Sequence, residues 1–141
     1  MRFMLLMIPK GYDTATDSKG LDPERVEKMM AFNEELQKSG ALLDLNGLHP
    51  PAMGARVSFA SGQPVVSRGP FAEATEVLGG YWMIQVDSLD EAIDWARRCP
   101  GSPEEMIEIR QVQEMEDFSD EVQEVAADFE AMQAQSTTAP K

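Results

Sequence analysis

At 141 residues, close to the roughly 150 that serves as a prior for one domain, the chain can bury roughly 70% of its unfolded surface in a single core without disulfides or a structural metal. Its 25 acidic and 12 basic residues give a formal charge of −13, which repels phosphate backbones and anionic headgroups, so neither nucleic acid nor a membrane surface is an expected partner. The one cysteine, Cys99, can form neither an internal bridge nor a zinc or redox motif, and this fits a reducing, cytoplasmic setting.

The run Phe3-Met4-Leu5-Leu6-Met7-Ile8 is too short for a signal sequence or a bilayer span. Closed by Pro9-Lys10-Gly11, it reads as a first strand of a soluble chain that begins at Met1. Its faces would be Phe3/Leu5/Met7 and Met4/Leu6/Ile8, both apolar, so both need cover. Leu21-Asp22-Pro23-Glu24-Arg25-Val26 then has the parts of a helix start. Asp22 is the N-cap, Pro23 takes the first helical position and Leu21 can staple onto Val26. Val26, Met29, Met30 and Leu36 follow at helical spacing, and Gly40 ends a helix over about 23–39.

Residues 41–48 read as a second strand. Residues 56–67 read as a hairpin folded about Ser61-Gly62, and 67–80 as a loop or brief helix. Tyr81 to Val86 is a strong strand with Tyr81/Met83 on one face and Trp82/Ile84/Val86 on the other. Ser88-Leu89-Asp90-Glu91 is a capping box that opens a helix burying Leu89, Ala92, Ile93 and Ala96, stopped by Cys99-Pro100-Gly101. Met106 to Val112 is the last strand, with Ile107 and Ile109 inward.

This order is a split βαβ pattern with a hairpin inserted at its middle. Right-handed crossovers put both helices on one face of an antiparallel sheet, giving a ferredoxin-like α+β fold. The other sheet face is then left for a second copy of the chain, since exposing each large apolar side chain forfeits roughly 1.5–3 kcal/mol. Past Val112, the spacing of Phe118, Val122, Val125, Phe129 and Met132 predicts one acidic amphipathic helix over 116–134, which could pack on its own domain or on the partner subunit, or receive another protein. Residues 135–141 read as a flexible tail.

Several motifs in order carry a resemblance. Gly47-Leu48-His49-Pro50-Pro51, Ser67-Arg68-Gly69-Pro70-Phe71-Ala72-Glu73, Leu78-Gly79-Gly80-Tyr81-Trp82, Val86-Asp87-Ser88-Leu89-Asp90-Glu91-Ala92 and Arg98-Cys99-Pro100 make residues 1–115 similar to the YCII-related family, and within it to the DGPF-domain branch. The resemblance implies a dimeric α+β barrel in which two ferredoxin-like sheets face each other. It also implies mostly uncharacterised bacterial proteins, some associated with sigma factors, and a few relatives acting on small aromatic or chlorinated compounds through a proposed His–Asp pair. The sequence departs from the branch at its naming motif, where Arg68 stands in place of the aspartate.

The candidate site residues follow from chemistry. His49, the one histidine, is the default acid–base group near neutral pH, or else a loop cap packed on Pro51. Arg56 and Arg68, brought near each other by the hairpin, could together hold a carboxylate or phenolate by forked hydrogen bonds, or instead pair with Glu73, Glu76 or Asp44. Phe71, Glu73, Tyr81 and Trp82 are the remaining candidate ligand contacts, although Tyr81 and Trp82 point to opposite faces and only one can line the space between two sheets. The many methionines suit an adaptable core or a permissive pocket. Asp44-Leu45-Asn46-Gly47 begins like a calcium loop, but Ala55 stands where the closing carboxylate belongs. Gly79-Gly80 precedes a strand and is no phosphate fingerprint. No metal or cofactor is implied.

The expected function is binding of a small anionic or aromatic molecule between sheet and hairpin, with lyase- or isomerase-type acid–base chemistry as one form and binding without turnover as another. The alternative is a non-catalytic regulatory or interaction module associated with sigma-factor control, working through the C-terminal helix.

Overall fold

The computed structural model describes residues 1–138. In chain order these form β1 (Arg2–Pro9), α1 (Pro23–Lys38), β2 (Leu42–Gly47), β3 (Ala55–Ser58), β4 (Val65–Arg68), β5 (Gly80–Gln85), α2 (Leu89–Arg98), β6 (Glu105–Gln111), α3 (Asp120–Val125) and α4 (Phe129–Thr138). Four strands make one antiparallel sheet in the order β2-β5-β1-β6, while β3 and β4 pair only with each other. Each half, β1-α1-β2 and β5-α2-β6, leaves a gap that the other half fills. This is the ferredoxin-like arrangement the pattern of elements predicts, with the hairpin as its insertion.

The helix starts are set by their caps. Asp22 Oδ1 accepts from Glu24 N–H at 3.1 Å, with Pro23 beside it, and Gly40 takes the left-handed conformation (φ 84°) just past α1. Ser88 Oγ accepts from Glu91 N–H at 3.1 Å. Glu91 reaches back to Asp87 N–H at 3.0 Å, one residue earlier than a capping box prescribes.

Pairing in the sheet sorts the side chains. Phe3 lies opposite Ile84 and Leu5 opposite Trp82, with Ile109 and Ile107 across from Leu5 and Met7. Phe3, Leu5, Leu36, Ile84 and Ala92 are fully buried, and Phe32 of α1 sets its edge on Trp82 with ring centroids 5.6 Å apart. Full burial of each large side chain contributes roughly 1.5–3 kcal/mol. In α2, Leu89 is half exposed instead of buried. Trp95 takes its place, packing on the core and edge-on to Phe32 at 6.4 Å, because the helix turns its i+3, i+4 and i+7 positions from Ala92, which are Trp95, Ala96 and Cys99, toward the sheet.

The opposite sheet face aligns Met4 with Met83, Leu6 with Tyr81 and Ile8 with Met106, and Glu108 and Arg110 flank them on β6. A bulge at Leu43 shifts the register of β2 so that Asp44 and Asn46 stand beside Met83 and Tyr81 on this face, while Leu45 stays with Trp82. Met4, Leu6, Ile8 and Met83 are half-buried.

The C-terminal segment differs from the single helix that heptad spacing predicts. It begins with a forked ion pair, Arg2 Nε to Glu114 Oε1 at 2.8 Å and Arg2 Nη2 to Oε2 at 3.1 Å, and the hydrogen bond holds the Glu114 carboxyl below its usual range. The helix is then broken between Val125 and Phe129 into α3 and α4. Val122, Val125, Phe129 and Met132 are 45–87% exposed. With that stripe off the core, nothing enforces one continuous helix, and short helices are marginal on their own. The expected flexible tail is helical through Thr138, and residues 139–141 lie outside the described residues. No helix among the described residues is long and apolar enough to cross a membrane.

Candidate ligand site beside the inserted hairpin

The main sheet delivers the chain to this site at Gly47, and Leu48 N–H still bonds Gly79 O at 3.0 Å. Pro50, fully buried, then anchors a tight turn over Pro51–Met53. Gly69 packs its backbone directly on this turn. Its N–H donates to Gly54 O at 2.9 Å, and a Cβ at Gly69 would sit 1.7 Å from Pro51 O, an approach open only to glycine. The Arg68-Gly69-Pro70-Phe71 stretch thus docks the end of β4 against the Pro51 turn and carries Phe71 under the hairpin.

There the Arg56 guanidinium carbon lies 4.2 Å from the Phe71 ring centroid. Stacking on an aromatic face leaves the N–H edge of a guanidinium free to fork-bond a carboxylate. His49, Arg56, Phe71 and Glu76 line one cavity of about 480 Å³, walled further by Pro50 and Val77, within the range of small-molecule sites. His49 is held by a contact no spacing rule would find. Its Nδ1 is 2.9 Å from Ser18 Oγ, and Ser18 is 3.5 Å from the Tyr12 hydroxyl, whose own proton goes to Leu48 O. With the Tyr12 proton committed, the single Ser18 proton can serve either the Tyr12 oxygen or His49 Nδ1, so Ser18 anchors the ring in place without fixing which nitrogen carries its proton.

The structure brings together His49, Arg56 and Phe71 of the seven candidates. Arg68 is elsewhere: Arg56 pairs with Ser67 and Ala55 with Arg68, so the two arginines lie on opposite faces of the ribbon and cannot grip one ligand. The hairpin register, Arg56 opposite Ser67, is the one a turn at Ser61-Gly62 predicts, but the loop spans six residues, 59–64, instead of two. Neither arginine pairs with Glu73, Glu76 or Asp44 among the described ion pairs. Glu73 is exposed and outside the cavity. Tyr81 is on the helix-free sheet face, donating to Asp44 Oδ2 at 2.7 Å and accepting from Asn46 Nδ2 at 3.0 Å. Trp82 is buried under α1, its indole N–H donating to Asn33 Oδ1 at 2.8 Å. Tyr12 and Ser18 were missed, because they come from a polar loop without periodicity and meet His49 only through the fold.

Cys99 plays no part here. Burial, with Glu105 nearby, pushes its thiol up to about 11, which leaves it a poor nucleophile at neutral pH. Among the described residues no three His, Cys, Asp or Glu side chains cluster as metal ligands.

Comparison with known proteins agrees with this architecture. The YCII-related domain model matches residues 1–116, the whole of the sheet and the hairpin. A protein of Rhizobium meliloti (strain 1021) described as "Uncharacterized protein R00369" is 34% identical over 84 residues, which cover 60% of this chain and 68% of the relative. With the family's domain covering the complete ferredoxin-like body and its insertion, the chain belongs to the YCII-related family.

Proposed function

We propose that the protein binds a small aromatic anion in the cavity beside the hairpin, with Arg56 holding the anionic group and His49 moving a proton in lyase- or isomerase-type chemistry. The observation that carries this reading is the convergence of His49, Arg56 and Phe71 on one cavity. Arg98 stacks likewise on Trp95 but pairs with Glu35, whereas Arg56 is in none of the described ion pairs, so in a chain of charge −13 it is a cation left for an anion. The apolar walls from Pro50, Val77 and Phe71 suit a flat ring, and the imidazole at the rim suits a group that takes a proton and returns it. Calorimetry with benzoate and its neutral isostere benzamide tests the binding step. Benzoate should bind at least about tenfold more tightly, and Arg56→Ala should erase that preference. Equal affinities in the wild type would refute it.

The same reading places the protein in the cytoplasm as a homodimer joined through the helix-free sheet face. The apolar row of Met4, Leu6, Ile8 and Met83 on that face supports the homodimer, as do the exposed Val57, Phe59 and Val66 of the hairpin. Light scattering should give about twice the 15.6 kDa of one chain, and a monomer at micromolar concentration would contradict it. A second reading, an interaction module in sigma-factor control, has one observation in its favour: the uncovered stripe of Val122, Val125, Phe129 and Met132. On that reading, truncation after residue 116 abolishes partner binding and leaves benzoate binding intact.

A further inference from the structure

A second, larger hollow of about 600 Å³ lies between α1 and the β2–β5 edge of the sheet. Met7, Met29 and Trp82 floor it, Val26 and Met30 form its outer lip, and Asn33 stands in its wall. It shares no lining residue with the His49 cavity. Val26 and Met30 are 42% and 53% exposed, so the lip offers apolar surface that a guest would remove from water.

Asn33 supplies a directed polar feature in the wall of the hollow. An indole N–H can only donate, so its 2.8 Å bond to Asn33 Oδ1 fixes which end of the amide faces Trp82. The Nδ2 end must turn the other way, and there its partner is the Met30 thioether sulfur at 3.7 Å. A thioether is a weak acceptor, and the contact is exposed, so an oxygen acceptor carried in by an apolar guest would replace it with a stronger bond. Charge at the mouth narrows the guest further. Arg25 is engaged with Glu105, and Asp22 adds a further negative charge at the rim, so an anion is repelled. An ammonium group only donates, so it cannot answer the Asn33 Nδ2 donor.

We propose that this hollow is a second ligand site, selective for a neutral, apolar molecule carrying one carbonyl-type acceptor, such as an aryl ketone, with Asn33 Nδ2 donating to its oxygen and the methionines and Trp82 enclosing its apolar body. The site is independent of the anion reading, since it uses none of its residues.

The test is a titration of isotope-labelled full-length protein, followed through the Asn33 side-chain amide and Trp82 indole N–H resonances, with three probes. Acetophenone should shift both resonances. Ethylbenzene, the same size without the oxygen, should bind about five- to tenfold more weakly, and benzoate should leave both unmoved. Val26→Trp and Met30→Trp, at exposed positions that can accept a larger side chain, should abolish the acetophenone shifts, while His49→Ala should retain them. The proposal is overturned if millimolar acetophenone moves neither resonance or if ethylbenzene binds equally well. Full retention of the shifts in both filled variants would overturn it too. Should a filled variant fail to fold, the wild-type resonances with the three probes decide the matter.

Discussion

The helix-covered sheet and the insertion between Gly47 and Gly80 are held by different forces. In the sheet, Phe3, Leu5, Leu36 and Ile84 are removed from water completely, and stability scales with the apolar area that neighbouring elements share. In the insertion every residue of β3 and β4 is exposed. Order there comes from backbone closeness, Gly69 on the Pro51 turn, from the buried Pro50 and from Arg56 on Phe71. The candidate anion site sits on the second kind of structure. Its geometry therefore depends on a few contacts that contribute little to global stability, and the two regions should fail separately.

The largest expected effect breaks the sheet. Leu5→Ala removes a fully buried side chain between Trp82 and Ile109 and should cost about 2–5 kcal/mol in urea unfolding. Gly69→Ala should cost about 1–3 kcal/mol, because its Cβ must displace Pro51 O. Its damage should be local, with amides of 48–71 exchanging faster while those of β1 and β5 keep their protection. If β1 loosens equally, the two regions are one cooperative unit and the contrast is wrong.

A smaller effect concerns Cys99, which packs with Met29 on the sheet side. Its thiol is raised from an ordinary 9.0 to about 11, first by burial, so the folded state holds the proton more tightly than the unfolded chain. The resulting stability is complete below the ordinary value and is lost as pH rises through about 11. Alkylation at pH 8 should be at least about tenfold slower than for a free thiol. Rapid labelling of native protein would show that this corner of the core opens easily.

The same contrast explains how much the sequence disclosed. Strands Phe3–Ile8 and Tyr81–Val86 and the caps at Asp22 and Ser88 were legible because each follows from a local rule of spacing or hydrogen bonding. The hairpin register was legible for the same reason, and the period-two alternation that sets it also separates Arg56 from Arg68. Leu89 misled because hydrophobicity does not say which face of a helix meets the sheet when Trp95 competes for it. The spacing of Phe118 to Met132 shows which residues share a side but not whether anything covers that side, so the break in the C-terminal helix was invisible. The Tyr12–Ser18–His49 contact joins residues up to 37 positions apart and has no sequence signal.

His49, as the chain's one histidine, gives a single imidazole resonance, and this makes the most direct test of the account a titration of histidine-labelled protein with benzoate. The imidazole signal should move saturably in the wild type and stay fixed in Arg56→Ala. A signal that does not move at saturating benzoate, or that moves equally in both proteins, would contradict the claim that His49 and Arg56 share one anion site.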